Sequence, residues 1–242
     1  MKNFFDITDY IDREKGKTAY VCGMGPSLKP FLTKIEKSDG IIVACSDVDL
    51  MTQLIPNYWV FANSSAGAAM VMNERWKKHM NTVIVHSDSV DTTPKKWIED
   101  NVVNTYIGYD QRHFNNEKCG HCPNACDNFI QNRRTIQELL MSYSKNSRRY
   151  NTGHTVALHC LAFALLLGCS EIYILGVDLD YGLGYVDEKT INNDSFVNWL
   201  PEIIEDFSTI KQSAENLNVK IYNMSTTSPL KEVFETLNDL KK

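Results

Sequence analysis

Thr18-Ala-Tyr-Val-Cys-Gly-Met-Gly-Pro-Ser-Leu28 (TAYVCGMGPSL) is the stretch whose reading decides the fold. The apolar residues Ala19 to Cys22 predict a short buried strand, and Gly23-Met24-Gly25 a tight turn. Pro26 and Ser27 then predict a helix start, because proline suits a first helical turn and serine caps one. A strand, a glycine turn and a helix N-terminus in succession form a ready anion site, since the first amides of a helix lack partners and its dipole is positive there. The expectation is a nucleotide phosphate over Gly23, Gly25, Pro26 and Ser27, with the glycines permitting close backbone approach. An ordinary strand-to-helix turn uses the same residue types, so the surrounding chain has to separate the two readings.

Outward from this turn the chain alternates. Gly40 to Cys45 reads as a second strand ending at Ser46, Asp47 to Leu54 as a short helix, and Tyr58 to Ala62 as a third strand running into Asn63. A helix over Ala68 to His79 precedes a strand over Thr82 to His86, and a helix over Pro94 to Asn101 precedes a strand over Val102 to Ile107. Later come a strand over Ser170 to Leu175, a helix over Leu200 to Leu217, a strand over Val219 to Tyr222 and a final helix over Pro229 to Leu240. Strand followed by helix, repeated, predicts an α/β fold with a doubly wound, mostly parallel sheet between two helical layers, that is, a Rossmann-like domain. In such sheets ligands sit beyond the carboxyl ends of the strands.

Composition narrows the function classes. The 242 residues fit one domain over 1–242, and the net charge of -5 supplies no basic face for nucleic acid. The N-terminal MKNFFDITDYIDREKGK carries acids where a signal peptide has an apolar core, and the longest apolar run, Val156 to Leu167, falls short of the roughly 20 residues of a membrane span. A cytoplasmic location is expected, and a homo-oligomer is compatible with it. Seven cysteines, an odd number, fit reduced thiols better than a disulfide framework.

The regular pattern is expected to stop at Gly108. Residues 108–134 read as an irregular Cys/His-rich insertion with His113, Cys119, His121, Cys122 and Cys126. CGHCPNAC spaces three thiolates as C-x2-C-x3-C, a spacing that converges on one ion, so a structural zinc completed by His113 or His121 is a candidate. An iron-sulfur cluster and incidental cysteines in a flexible lid are the alternatives.

Asn151-Thr152-Gly153-His154 opens a helix over Thr155 to Leu167 that is apolar nearly all round and hence buried. The strand after it runs into Gly176-Val177-Asp178-Leu179-Asp180. Side chains at i and i+2 point the same way if strand geometry persists, so Asp178 and Asp180 are candidates to share Mg2+ with a nucleotide or to hold ribose hydroxyls. A helix cap or turn residue is the plainer role for one such aspartate. His154, Asp178 and Asp180 are the candidate catalytic groups, whereas His159 reads as a core histidine. Residues 182–198 are glycine-bearing and polar, a candidate lid, and Ser225, Thr226 and Ser228 fall at another strand end.

GMGPSLK at 23–29, FANSS at 61–65 and NTGHTVALHCLAFALLLGCSEIYILGVDLDYG at 151–182 resemble the motifs of bacterial sialyltransferases: GNGPSLK, a strand ending in Asn, and a TSG helix leading to EIYLSGIDF. The same blocks, with Ile221 to Ser225 and Ser228 to Leu230, resemble the wider superfamily of motility-accessory glycosyltransferase-like proteins, which takes in archaeal 6-hydroxymethylpterin pyrophosphokinases. The resemblance implies a Rossmann-like transferase with its donor nucleotide against Gly23, Gly25, Pro26 and Ser27, and with Asn63, Thr152 and Gly153 around sugar and phosphate. Ser46 stands where the sialyltransferases have asparagine, and Met24 replaces the asparagine of their first motif. Their general-base histidine lies C-terminal to the last block, and this chain has no histidine after His159. Three readings follow: a glycosyltransferase using a CMP-type sugar donor for surface glycans, a Mg2+-dependent pyrophosphokinase, or a non-enzymatic nucleotide- or zinc-binding module.

Overall fold

The computed structural model describes residues 4–61, 75–87, 106–112, 149–151, 155–180 and 200–241. The expected phosphate turn follows a strand that lies in the middle of one parallel sheet. In chain order the strands are β1 (Phe4–Asp6), β2 (Thr18–Cys22), β3 (Ile41–Cys45), β4 (Tyr58–Phe61), β5 (Val83–Ser87), β6 (Tyr106–Arg112), β7 (Arg149–Asn151), β8 (Glu171–Leu175), β9 (Lys220–Asn223) and β10 (Glu235–Thr236). They pair in the order β1-β6-β5-β4-β3-β2-β8-β9-β10, with β7 added on β6, and every pairing is parallel. The chain walks outward from β2 through β3, β4 and β5, then returns to lay β8 on the other side of β2. The order of winding therefore reverses between β2 and β8, which is where a doubly wound sheet opens its ligand crevice.

Burial explains why these segments are strands. All of β3 and β4 is buried, as are Ala19 to Cys22 and Ile172 to Leu175, so they read as unbroken apolar runs instead of alternating ones, as a sheet covered on both faces requires. Helix α3 (Val156–Leu166) crosses β2, β3 and β4 on one face, where Phe163 packs edge-on against Tyr58 with centroids 5.3 Å apart. Its residues Ala157 to Leu166 are all buried, the expected consequence of an apolar circumference. Tyr20, Tyr173 and Tyr222 sit in register on β2, β8 and β9 and stack across the opposite face at 5.8 and 5.3 Å. Helix α4 (Leu200–Asn216) packs on α3 and β9. The short helices α1 (Leu32–Glu36) and α2 (Val48–Met51) follow β2 and β3.

The loop Asp12 to Gly16 ties the carboxyl end of α3 to the amino end of β2. The Asp12, Glu14 and Gly16 amides donate to the Leu166, Leu167 and Gly168 carbonyls at 2.9, 2.8 and 2.9 Å, which satisfies acceptors that a helix end leaves over. Thus α3 runs antiparallel to the sheet and brings its N-terminus, capped by the Thr155 hydroxyl, to the crevice edge. The four described cysteines, Cys22, Cys45, Cys160 and Cys169, are free and buried. Among the described residues no helix is long and apolar enough to cross a membrane.

Four expectations need correction. β6 does not stop at Gly108 but continues to Arg112, because β7 extends the sheet there and backbone pairing alone carries polar residues along. The N-terminal Phe4–Asp6, read only for targeting, is an edge strand on β6. The helix expected over Pro229 to Leu240 ends after one 3-10 turn, Pro229–Glu232. Adjacent Val233 and Phe234 both turn inward, and Glu235–Thr236 then pair with β9. Finally, the helix after Gly25 begins as a 3-10 segment, Pro26–Phe31, with Pro30 inside it, and becomes α-helical only at Leu32. The insertion beyond Arg112 to 134 and the lid at 182–198 lie outside the described residues.

Candidate functional site

The carboxyl ends of β2 and β8 close on each other through four hydrogen bonds. The Gly23 amide donates to the Leu175 carbonyl at 2.7 Å and the Gly25 amide to the Gly176 carbonyl at 2.7 Å. In return the Gly176 amide donates to Ser27 Oγ at 3.1 Å, and the Ser27 amide to Asp178 Oδ2 at 3.0 Å. Ser27 was expected to cap its own helix; it reaches across instead, and the carboxylate of Asp178 supplies the acceptor at that helix start. A β-carbon at Gly23 would collide with the Gly176 carbonyl, and one at Gly25 with the Asp178 carboxylate and, at 2.9 Å, with the Gly176 carbonyl. These glycines are required by the approach of the protein's own β8 turn, a closer neighbour than any phosphate. Gly25→Val would therefore disturb the turn and its bonds to β8, and not a ligand contact alone.

The anion site narrows accordingly. Of the amides in the turn, those of Gly23, Gly25 and Ser27 are committed to β8 and its loop, while the Met24 amide makes no hydrogen bond among the described residues. Beside it, at the end of β3, Ser46 takes a left-handed backbone with φ 36, its amide donating to Val60 and its carbonyl accepting from Trp59 Nε1 at 2.7 Å. The Ser46 hydroxyl likewise has no partner among the described residues. Among the described residues this leaves one N–H and one O–H without a partner, each two residues beyond the paired Cys22 and Ala44.

Asp178 and Asp180 do not act as a pair. Leu179 has φ 53, so the extended geometry that would align i and i+2 breaks between them; Asp178 is 4% exposed while Asp180 faces solvent. Each Asp178 oxygen is engaged: Oδ2 by the Ser27 amide, and Oδ1 by the Ser225 hydroxyl at 2.5 Å. Ser225 and Ser228, beyond β9, are buried too, with Ser228 Oγ donating to the Val177 carbonyl at 2.9 Å and capping the turn after it by accepting from the Leu230 amide at 3.2 Å. Three strand ends, β2, β8 and β9, are thus bolted together around one buried carboxylate. Among the described residues no group of three or more His, Cys, Asp or Glu converges as a metal site.

Sequence reasoning missed the opposite wall. Arg75, buried, donates to Asp47 at 2.7 Å and to Asp49, lies over the Trp59 ring at 5.0 Å, and so pins the turn after β3. His79 Nε2 stands 3.5 Å from the same Asp49. Burial alone would push the Asp49 carboxyl up, but the hydrogen bonds from His79 and Arg75, and their charges, outweigh it and hold its pKa below the ordinary value. The two aspartates two residues apart were visible, but nothing in the sequence marks which distant cation meets them.

Asn63, Thr152, Gly153, His154, His113, Cys119, His121, Cys122 and Cys126 lie outside the described residues. Those described, Gly23, Gly25, Pro26, Ser27, Ser46, Asp178 and Asp180, all fall at the carboxyl edge of the sheet.

No protein of curated function matches the chain in sequence. Solved structures do match in fold. A Maf glycosyltransferase from Magnetospirillum magneticum AMB-1 superposes with a TM-score of 0.56 at 12% identity, over 97% of this chain. The chain spans 38% of the length of that protein. The sialyltransferase CstII from Campylobacter jejuni, in complex with cytidine-5'-monophosphate, superposes at 0.53 with 16% identity, over 92% of this chain and 85% of that one. The same enzyme with CMP-3FNeuAc gives 0.52. At these identities the likeness is one of fold, and it is the Rossmann-like fold that the motifs around Gly23 and Gly176 implied. Residues 1–183 match a sequence family spanning most of the chain, and the chain belongs to it: the 6-hydroxymethylpterin diphosphokinase MptE-like family.

Proposed function

We propose that the protein is a transferase that binds a nucleotide-activated donor over the carboxyl ends of β2 and β3, beside the point where the winding reverses, and uses the nucleotide phosphate as leaving group. The observation that carries this reading is the pair at the ends of β2 and β3, the Met24 amide and the Ser46 hydroxyl, neither of which has a hydrogen-bond partner among the described residues. The amide suits a phosphate oxygen and the hydroxyl a ribose hydroxyl, the two halves of a nucleotide. A fixed amide also stabilises charge that grows on a departing phosphate without having to reorganise.

The transferred group is a sugar in the reading we favour, as it is for the glycosyltransferases that share the fold. Asp178, the carboxylate closest to the glycine turn, has both oxygens engaged by the protein, an arrangement that suits donor chemistry in which no side chain here has to carry a cation. The family match favours a second reading, diphosphoryl transfer from ATP to a hydroxymethyl group. Thermal unfolding with CMP, CDP, UDP, GDP and ATP, each with and without Mg2+, separates the two. A rise in Tm with CMP that does not need Mg2+ supports sugar transfer, because a ligand that binds only the folded state stabilises it by about 2.7 kcal/mol at a hundred times Kd. Stabilisation by ATP only with Mg2+ supports the second reading, and no response to any nucleotide overturns both.

A further inference from the structure

The hydroxyl network beyond β9 has a direction. Ser225 Oγ is within hydrogen-bond distance of three groups: Asp178 Oδ1 at 2.5 Å, the Ser228 amide at 3.2 Å and Thr227 Oγ1 at 3.2 Å. A serine hydroxyl has one hydrogen, and an ionised carboxylate accepts only, so that hydrogen goes to Asp178. The Ser228 amide can only donate, which leaves Ser225 one lone pair and no hydrogen for Thr227. The Thr227 hydroxyl must therefore donate inward to Ser225. Its own lone pairs then have no donor among the described residues, and Thr227, unlike its buried neighbours Ser225 and Ser228, is exposed. The carboxyl edge of the sheet beyond β9 thus presents a hydroxyl oxygen fixed as an acceptor, joined through Ser225 to the carboxylate that sits against the glycine turn.

The geometry points to Thr227 as the catalytic residue that receives the attacking hydroxyl of the acceptor substrate, with Ser225 and Asp178 as the route for its proton. The inference rests on the transferase reading above and supplies the general base that reading lacks, since no histidine follows His159. In either reading the nucleophile is an alcohol, whether a sugar hydroxyl or a hydroxymethyl group. As its oxygen forms the new bond to the sugar carbon or to phosphorus, the bond to the leaving phosphate breaks and the nucleotide departs with the electron pair. The alcohol proton passes to Thr227 Oγ1, the Thr227 proton to Ser225 Oγ, and the Ser225 proton to Asp178 Oδ1. Both hydroxyls end neutral, and Asp178 ends protonated until it returns the proton to solvent by the reverse path.

The test uses the full chain with two donor and acceptor pairs: a CMP-activated sialic acid with a galactoside, and ATP with Mg2+ and 6-hydroxymethylpterin. Thr227→Val keeps the shape and removes the oxygen. With whichever pair the unaltered protein turns over, it should lower kcat on the order of 100-fold, the usual scale of general-base assistance, and leave nucleotide affinity within about twofold. Thr227→Ser should restore kcat to within a few-fold, and Ser225→Ala should reduce the solvent deuterium isotope effect on kcat, a readout that a packing role would not move. Turnover by the unaltered protein together with unchanged kcat in Thr227→Val overturns this assignment and leaves the transferase reading standing. Absence of turnover and of nucleotide binding in the unaltered protein overturns the transferase reading and this inference with it.

Discussion

The two walls of the crevice each bury a carboxylate, and they satisfy it in opposite ways. On the β3 side Asp49 is paired with a cation: Arg75 grips it together with Asp47, and His79 approaches from the same side. On the β8 side Asp178 has no cationic partner among the described residues and is held by one amide and one serine hydroxyl. The first arrangement settles its charge inside the protein and leaves nothing for a ligand to alter. The second is held, among the described residues, by neutral donors, and it orders the hydroxyls around it. One wall is a brace, and the other is the side that the proposed function uses.

Removing the brace should have the largest effect. Arg75→Met removes the guanidinium that lies over Trp59 and abandons buried Asp49 and half-exposed Asp47; breaking one side of a buried ion pair costs about 3 to 5 kcal/mol, read as a fall in the midpoint of chemical unfolding. Asp178→Asn should cost less, on the order of 1 to 3 kcal/mol, the scale of a hydrogen bond to a charged group, because its partners are neutral and one amide oxygen still accepts. If the two losses came out equal, the distinction between the walls would fail.

The ease with which these elements can be read from sequence follows from how local their causes are. Buried strands such as Ile41–Cys45 and the wholly apolar helix Val156–Leu166 declare themselves because every side chain meets a core. Strands of two or three residues at the sheet edges, β1, β7 and β10, carry no period to detect and exist through backbone pairing. Gly23, Gly25, Ser27 and Asp178 were legible as a group, but their bonds were not. The carboxylate that meets Ser27 comes from 151 residues away, and until it is placed the helix start reads as open to a phosphate. The Met24 amide is a backbone group and has no signature in residue type at all. Thr227 reads as one more hydroxyl in a polar loop until the burial of Ser225 gives it a direction.

A smaller effect separates the walls by pH. The folded pKa of Asp49 lies below its ordinary value, so its pairing contributes stability that is fully present above the ordinary aspartate range and is lost as pH falls through the lowered folded pKa. Stability measured by urea unfolding from pH 6 downward should therefore fall in that acid range, and Asp49→Asn should flatten the fall. An acid limb unchanged by Asp49→Asn would remove the brace from the account.

The central claim is that the nucleotide phosphate sits over the turn after β2 and takes the Met24 amide, which has no hydrogen bond among the described residues. Backbone amide resonances followed during titration with CMP, and with ATP and Mg2+, test it directly. The account predicts that the Met24 amide moves most within the turn, with Gly23, Gly25 and Ser27, already bonded to β8 and its loop, moving less. Saturable nucleotide binding that leaves the Met24 amide unmoved would contradict it.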